Sequence, residues 1–276
     1  MPLRVGYVRE HFCSPLLQFA AADQGKTFTL VECPSAALTD PLIAGIAKGS
    51  KAYKLVGSYV TSPLRWAVIT GFKDSPYKQI SNLQGTTIGI SRHGSGSQTM
   101  AYVMALQQGW PTDQLKFQVN NNIRGLIDSV NNGSTSAFMW EWFTTKPFAD
   151  AGECRFVNRR VPTPWPSWLI AAHPTRAPAL AVQEFLSSLS GYVRSFSSAE
   201  QRAEPSVEFI KETFGYPEAD VRAWLEAVAY PQDCAEIPST VITDALTVLE
   251  KAGVVTAPDG GFDLSQFVDV NVVKLT

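Results

Sequence analysis

A loop of small polar residues, Ser91–Ser97, stands between a short apolar run and a helix-forming stretch. Glycine lets the backbone approach a ligand closely, and the first N–H groups of a helix have no partners within the helix. Because the helix dipole also favours negative charge at this end, the loop is predicted to bind an anionic group. An ordinary serine-capped turn is the alternative interpretation. The predicted contacts are Ser91, His93, Gly94, Ser95, Gly96 and Ser97.

Two nucleotide-binding motifs come close to this loop but do not match it. A phosphate-binding P-loop needs a Gly-Lys-Ser/Thr sequence, which is absent here. A dinucleotide-binding motif needs a third glycine where Thr99 stands. The loop therefore predicts anion binding without naming the ligand.

Two tryptophans flank a carboxylate at the end of another predicted strand, in the order Trp140, Glu141, Trp142. A tryptophan offers a flat stacking face and one N–H donor, which suits a planar or partly cationic ligand. All three residues are predicted to line the ligand site. In the alternative interpretation, one ring belongs to the core and the other covers a surface between lobes.

Three residues in the first forty are further candidates for ligand binding: His11, Ser35 and Thr39. They follow the first two predicted strands, and α/β folds bind ligands beyond the carboxyl ends of their strands. Arg65 is interpreted as an ordinary surface or lobe-bridging ion pair.

No residue pattern predicts catalysis, because no Ser-His-Asp order or pair of carboxylates is visible. A metal site built from His11, Cys13 and Cys33 was considered. Structural metal sites usually have closely paired ligands, and the four cysteines are widely spaced. We therefore expect no catalytic residue, no metal and no other cofactor.

Short strands and helices alternate through the first 172 residues, which predicts mainly parallel sheets flanked by helices. Beyond Pro174, apolar residues recur at helical spacing, which predicts a helical C-terminal third. The predicted strands are 4–8, 28–31, 55–59, 66–70, 87–90, 116–119, 137–139 and 168–171. The predicted helices before residue 174 are 15–24, 38–48, 98–108 and a helix around 123–130.

Composition narrows the classes of partner. The 276 residues are 45% hydrophobic and 17% charged, which is enough for real cores. The net charge of −2 and the lack of a Lys/Arg run argue against nucleic acid or anionic membranes. The first residues run directly into a strand, without the features of a signal peptide, so a cytoplasmic location is expected. The oligomeric state is not predicted.

Several longer motifs resemble one fold family, that of type II periplasmic binding proteins. They resemble its branch of alkanesulfonate-binding proteins and thiamine-pyrimidine synthases, and within that branch a group of intracellular fungal proteins with no settled ligand. The motifs cover most of residues 1–175. They read LRVGYVREHF, LTDPLIAGIAKG, YKLVGSYVTSPLRWAVITG, SRHGSGSQTMAYV, STSAFMWEWFTTKPF and PTPWPSWLIAAH.

The resemblance implies two lobes. Lobe one is expected to comprise residues 1–82 and 173–276, and lobe two residues 83–172, with crossings at 73–82 and 162–166. Family members have a further helix and strand after the second strand. This chain connects Cys33 to Leu38 through four residues, so lobe one is expected to be shortened near 34–39 by about twenty residues.

The resemblance also implies a function. We expect an intracellular protein that closes its two lobes on a small anionic or planar ligand by hinge motion. The alternative is an enzyme related to the synthesis of the thiamine pyrimidine, hydroxymethylpyrimidine phosphate. The related synthases carry a CCCFC-type iron motif and a reactive lysine and histidine used with pyridoxal phosphate. This chain has no matching motif, which favours binding over catalysis.

Overall fold

The computed structural model describes residues 2–33 and 38–276, with the side chains of 159 and 160 left aside. The chain divides into two compact units. The first unit comprises Met1–Ser62, Trp165–Thr243 and Pro258–Thr276, and the second comprises Pro63–Pro164 and Asp244–Ala257.

The strands are short except for two long ones, and helices follow most of them. The strands are β1 (Leu3–Tyr7), β2 (Phe28–Glu32), β3 (Lys54–Thr70), β4 (Thr87–Ile90), β5 (Lys116–Val119), β6 (Ala137–Glu141), β7 (Arg155–Ala172), β8 (Glu236–Ile237) and β9 (Lys274–Leu275). The helices are α1 (Ser14–Asp23), α2 (Thr39–Ala47), α3 (Gly96–Gln107), α4 (Ile123–Asn131), α5 (Trp142–Asp150), α6 (Ala179–Ser197), α7 (Ala199–Ala203), α8 (Pro205–Phe214), α9 (Glu218–Ala227) and α10 (Ser239–Lys251).

The long strands β3 and β7 differ from the prediction. The sequence predicted separate strands at 55–59 and 66–70, and a crossing at 162–166. Both regions are instead continuous strands. Two of the divisions between the units, at 62/63 and 164/165, fall inside these strands, and a third, at 243/244, falls inside α10.

The prolines of β7 explain why a strand was not expected there. Pro162, Pro164 and Pro166 alternate with other residues, so their missing N–H groups point to the same side of the strand. A proline is tolerated on the outer side of an edge strand, where no ladder hydrogen bond is lost. β7 is the last strand in the sheet order β5-β4-β6-β3-β7, so it has such a side.

In the first unit, β1 and β2 form a parallel pair, with Leu3 opposite Phe28 and Tyr7 opposite Glu32. Four aromatic rings from α1, β2 and α6 pack together beside this pair. They are Phe19, Phe28, Phe185 and Tyr192, with centroid distances of 4.7 to 5.7 Å.

In the second unit, β4 runs parallel to both β5 and β6, and β3 runs antiparallel to β6. The carboxyl ends of β4, β5 and β6 therefore lie along one edge of the sheet. Helices α3, α4 and α5 begin a few residues beyond these three ends.

The apolar stripes predicted for the helices are confirmed as buried. Met100, Val103 and Met104 of α3 are each at most 3% exposed. The stripes of α6, α9 and α10 are buried as well. Leu126, Ile127 and Val130 of α4 pack with Ala67, Ile69, Phe138 and Cys154 into the core of the second unit. In the described part of the chain, no helix is long and apolar enough to cross a membrane.

Candidate functional site

The carboxyl edge of the second unit's sheet brings together two of the predicted segments. Parallel pairing places Gly89 of β4 opposite Phe138 of β6. Ser91 therefore leaves β4 beside the last residues of β6, where Glu141 lies. The backbone N–H of Asn120 donates to the Ile90 carbonyl at 2.8 Å, so the end of β5 joins the same edge.

The loop after β4 holds its shape through its own hydrogen bonds. Ser95 is the N-cap of α3, and its hydroxyl accepts from the N–H of Gln98. The Ser97 hydroxyl accepts from the Ser91 N–H at 3.1 Å and lies 2.8 Å from the Ser95 hydroxyl. Gly94 has a φ of +71°, a conformation that side-chain-bearing residues rarely adopt. The two serine hydroxyls thus lie at the start of the helix.

Two backbone donors of this loop remain available. The N–H groups of Gly96 and Ser97 are the first two of α3, and neither has a hydrogen-bond partner among the described residues. Both residues are buried, whereas His93 at the tip of the loop is exposed. A helix start with two unpartnered N–H groups can hold the oxygens of an anion.

Glu141 ends β6 and is the N-cap of α5. Its Oε2 accepts from the N–H and the hydroxyl of Thr144, both at 2.7 Å. Its Oε1 has no hydrogen-bond partner among the described residues. Burial raises the pKa of Glu141 to about 7, opposed by the hydrogen bonds from Thr144, by the backbone N–H of Phe143 and by the charge of Arg65.

The two tryptophans beside Glu141 have different surroundings. Both pack against the core of the second unit while remaining partly exposed. The Arg65 guanidinium lies 4.1 Å from the centroid of the Trp142 ring, and Phe143 lies against the same ring at 4.5 Å. One face of Trp142 is thereby occupied by a cation, while no cation lies against the ring of Trp140 among the described residues.

The sequence interpretation did not assign site roles to Arg65 and Thr144. Residue Arg65 precedes Trp66, which pairs with Glu141, so the β3–β6 register brings its side chain to Trp142. Thr144 lies in the first turn of helix α5, which was not among the predicted helices and which contains Pro147. An acidic residue such as Glu141 can act as an N-cap by accepting from the N–H three residues later, and this signal could have indicated the helix.

In the first unit, the predicted residues lie in a core environment. His11 is 2% exposed and is surrounded by the rings of Phe12, Tyr216 and Trp224 at 4.4 to 5.0 Å. Burial lowers the pKa of His11 to about 3. Thr39 begins α2 and is fully buried. Ser35 lies outside the described residues.

One surface cavity of the second unit, of about 230 Å³, is lined by Trp142 together with residues of α5 and β7. Another, of about 590 Å³, is lined by Gly71–Tyr77, the end of α4, and Gly152 and Glu153. It adjoins Ser136, before the amino end of β6, and is therefore at the other edge of the sheet. The strand ends hold the unpartnered donors and acceptor, so we assign the candidate site there and not to this cavity.

Among the described residues, no group of three His, Cys, Asp or Glu side chains is placed to hold a metal. All four cysteines are free thiols, and burial raises the pKa of Cys13 and Cys154 to about 12.

Solved structures with the same architecture define the class of fold. The alkanesulfonate-binding protein SsuA from Xanthomonas axonopodis pv. citri, bound to MOPS, is 15% identical, with a TM-score of 0.74 over 100% of this chain and 98% of that chain. The aliphatic sulphonate binding protein SsuA from Escherichia coli is 15% identical, with a TM-score of 0.67 over 97% of this chain and 92% of that chain. The chain has the type II periplasmic-binding-protein-like fold, as its motifs predicted.

A more specific likeness lies within this class. The Candida albicans CA3427 gene product is 27% identical, with a TM-score of 0.88 over 100% of this chain and 98% of that chain. That structure is described as defining a family with the generic periplasmic binding protein fold. Residues 66–159 match the model of the Ca3427-like periplasmic-binding-protein family. A search of curated proteins finds no match.

Proposed function

We propose that this chain is a small-molecule binding protein whose second unit holds an anionic group at the start of α3. The observation that carries the proposal is the pair of unpartnered N–H groups of Gly96 and Ser97 at the carboxyl edge of the sheet. SsuA from Xanthomonas axonopodis, which has the same fold, is an alkanesulfonate-binding protein, and this supports an anionic ligand.

The rest of the edge suits a ligand with a planar body. The partly exposed ring of Trp140 offers a flat apolar face near the same strand ends. His93 and Gly94 lie on the exposed side of the loop. The anion is held by backbone donors, so a phosphate, sulfonate or carboxylate is compatible with this arrangement.

We also propose that the protein acts inside the cell, in sensing, storage or delivery of its ligand. Four free thiols support this setting, because reducing compartments keep cysteines unpaired. Fluorescence microscopy of the tagged full-length protein tests it. Retention in the secretory pathway would contradict an intracellular role.

The anion site is tested with benzenesulfonate, pyridoxal phosphate and phosphorylated pyrimidines in a thermal-shift screen. A probe at 100 times its dissociation constant adds about 2.7 kcal/mol of stability, which gives a clear shift in Tm. The affinity of each hit is then measured by calorimetry.

Gly96→Pro is the decisive variant, because proline removes the N–H donor and is favoured at the first helical position. Ser95 already has the extended conformation that must precede a proline, with φ −80° and ψ 160°. Gly96→Ala is the matched control, since it adds a Cβ and keeps the donor. A charged hydrogen bond contributes about 1.5–3 kcal/mol, so the proline variant should bind roughly ten-fold or more weakly than the alanine variant.

Equal affinity of the proline and alanine variants would contradict a role for the Gly96 donor. The enzymatic alternative is tested by incubating each hit with the protein, iron and oxygen. Recovery of the unaltered probe agrees with binding, and formation of a new pyrimidine product would overturn the proposal.

A further inference from the structure

Glu141 is buried at the same strand ends as the proposed anion site. It is 6% exposed and is the residue at which β6 ends and α5 begins. Side chains alternate along a strand, so Glu141 points to the face opposite Phe138 and Trp140. Phe138 and Trp140 pack with the α4 core, which leaves Glu141 on the side of the sheet away from that cluster.

The two oxygens of this carboxylate are not equivalent. Both hydrogen bonds from Thr144 reach Oε2, and these hold the side chain in one orientation. The Phe143 N–H is a third donor close to this carboxylate. Oε1 is buried and has no hydrogen-bond partner of good geometry among the described residues. Burying a carboxylate oxygen without a hydrogen-bond donor destabilises the folded protein. A ligand that supplies a donor removes this cost and is therefore bound more tightly.

The proposed anion site limits which ligand group could donate a hydrogen bond to Oε1 of Glu141. Arg65 on β3, which acts on Glu141 electrostatically, stacks on Trp142. The Gly96 and Ser97 N–H groups begin helix α3, which follows β4, and β4 is the strand next to β6 in the sheet. A ligand whose anionic group lies on α3 could satisfy Oε1 through an N–H group elsewhere on the same molecule.

We propose that Glu141 selects ligands that carry an N–H donor, such as an amine, an amidine or a protonated ring nitrogen, in addition to their anionic group. This inference rests on the proposed anion site and specifies the class of ligand that it takes. Anions without such a donor leave Oε1 unpartnered and bind less tightly.

Selection by a carboxylate makes binding depend on pH. The pKa of Glu141, raised to about 7 by burial, means that the carboxylate changes from mostly protonated to mostly ionised between pH 6 and pH 8. The ionised form accepts the N–H bond, so affinity should rise over this interval. Other ionisable groups on neighbouring elements are Arg65 on β3, Arg92 and His93 after β4, and Lys146 on α5.

The experiment compares matched sulfonates, whose charge is constant over this range of pH. The pairs are benzenesulfonate with its three aminobenzenesulfonate isomers, and ethanesulfonate with 2-aminoethanesulfonate. Calorimetry at pH 8 should show that at least one amino compound binds about ten-fold or more tightly than its parent. At pH 6 that advantage should shrink by about ten-fold.

Glu141→Gln should abolish the advantage of the amino compound and its pH dependence, while benzenesulfonate still binds. Asp150→Asn is the matched control on the same helix and should keep the preference.

Each outcome separates the two proposals. If parent and amino compounds bind equally in the unmodified protein, or the preference survives Glu141→Gln, the role of Glu141 is overturned and the anion site stands. If no sulfonate, phosphate or carboxylate binds at any pH, the anion site is overturned and the inference fails with it. A preference lost in Glu141→Gln but retained in Asp150→Asn supports the assignment.

Discussion

The helices that follow strands begin differently in the two units. In the second unit, α3, α4 and α5 are each capped by a side chain, from Ser95, Asn122 and Glu141. In the first unit, α1 and α2 follow β1 and β2 without any side-chain cap hydrogen bond. Polar side chains therefore cap these three helices of the second unit, whereas α1 begins with Pro15 in its first turn and α2 begins without a side-chain cap.

The residues beyond the strand ends also differ in polarity between the two units. Beyond β1, His11 and Phe12 are enclosed by aromatic rings, and Trp168 lies 4.4 Å from Phe12. Beyond β4 and β6, serine hydroxyls, free backbone donors and a carboxylate are present. An apolar enclosure stabilises a fold, while a polar edge with unpartnered groups is available to a ligand. This difference is why we place the anion site in the second unit.

The largest expected effect comes from the aromatic enclosure. Trp224 is 2% exposed and contacts both His11 and Phe12. Trp224→Ala should lower the free energy of unfolding by about 3–5 kcal/mol, because a large buried ring leaves a cavity. Chemical denaturation measures the loss. The control is Trp140→Ala at the partly exposed edge, which should cost less; an equal cost would remove the contrast between the two regions.

The second prediction concerns the loss of folding stability at low pH that is caused by His11. Burial lowers the pKa of His11 to about 3, so the folded state resists protonation that the unfolded state accepts near 6.5. Stability from this group is complete above pH 6.5 and is lost as the pH falls, by about 2 kcal/mol at pH 5. His11→Leu should remove this dependence when denaturation curves at pH 8 and pH 5 are compared with those of the parent. Identical slopes in parent and variant would show that His11 is not held neutral.

The contribution of Glu141 to folding stability should change with pH in the opposite direction. Its pKa is raised from 4.5 to about 7, so the folded state prefers the protonated form. Stability from this group is complete below pH 4.5 and is lost as the pH rises to 7, by about 2 kcal/mol between pH 5 and pH 8. Glu141→Gln should therefore gain stability relative to the parent as the pH rises. A parallel pH profile in the two proteins would contradict the raised pKa.

The smallest expected effect comes from removing a side-chain N-cap of a helix in the second unit. The Asn122 side chain accepts from the Gly125 N–H at 3.0 Å at the start of α4. Asn122→Ala should cost about 1 kcal/mol in unfolding free energy, whereas Asn122→Asp keeps an acceptor and should cost less. Thermal denaturation compares the two variants. If alanine and aspartate behave alike, local capping does not distinguish the second unit.

Much of the fold was predictable because its signals are local. The period of apolar residues in α3, α4 and α6 predicted both the helices and their buried faces, as confirmed by Leu126 and Leu186 at 0% exposed. Strands β4 and β5 were predicted at their observed residues. Helix α5 was not predicted; it contains Pro147, and a proline disfavours the helical conformation of the residue before it.

The candidate site was only partly predictable, for a different reason. Ser91–Ser97 could be selected from composition and order alone, because a helix start and its glycines are adjacent in sequence. His11 and Trp142 could not be interpreted in this way, since their neighbours come from distant parts of the chain. The rings around His11 include Tyr216 and Trp224, and the cation against Trp142 is Arg65.

The sequence by itself determined the class of fold, through motifs that resemble a known family, and the buried faces of the helices. It also selected the Ser91–Ser97 loop at the start of α3 as a candidate site. The helical faces follow from spacing within a few turns, where the period of the backbone governs which residues share a face. Only the tertiary structure decided that Glu141 retains one unpartnered oxygen while His11 is enclosed by aromatic rings. Burial and neighbouring groups set the pKa of each, and those neighbours are brought together by strand pairing and helix packing rather than by sequence order.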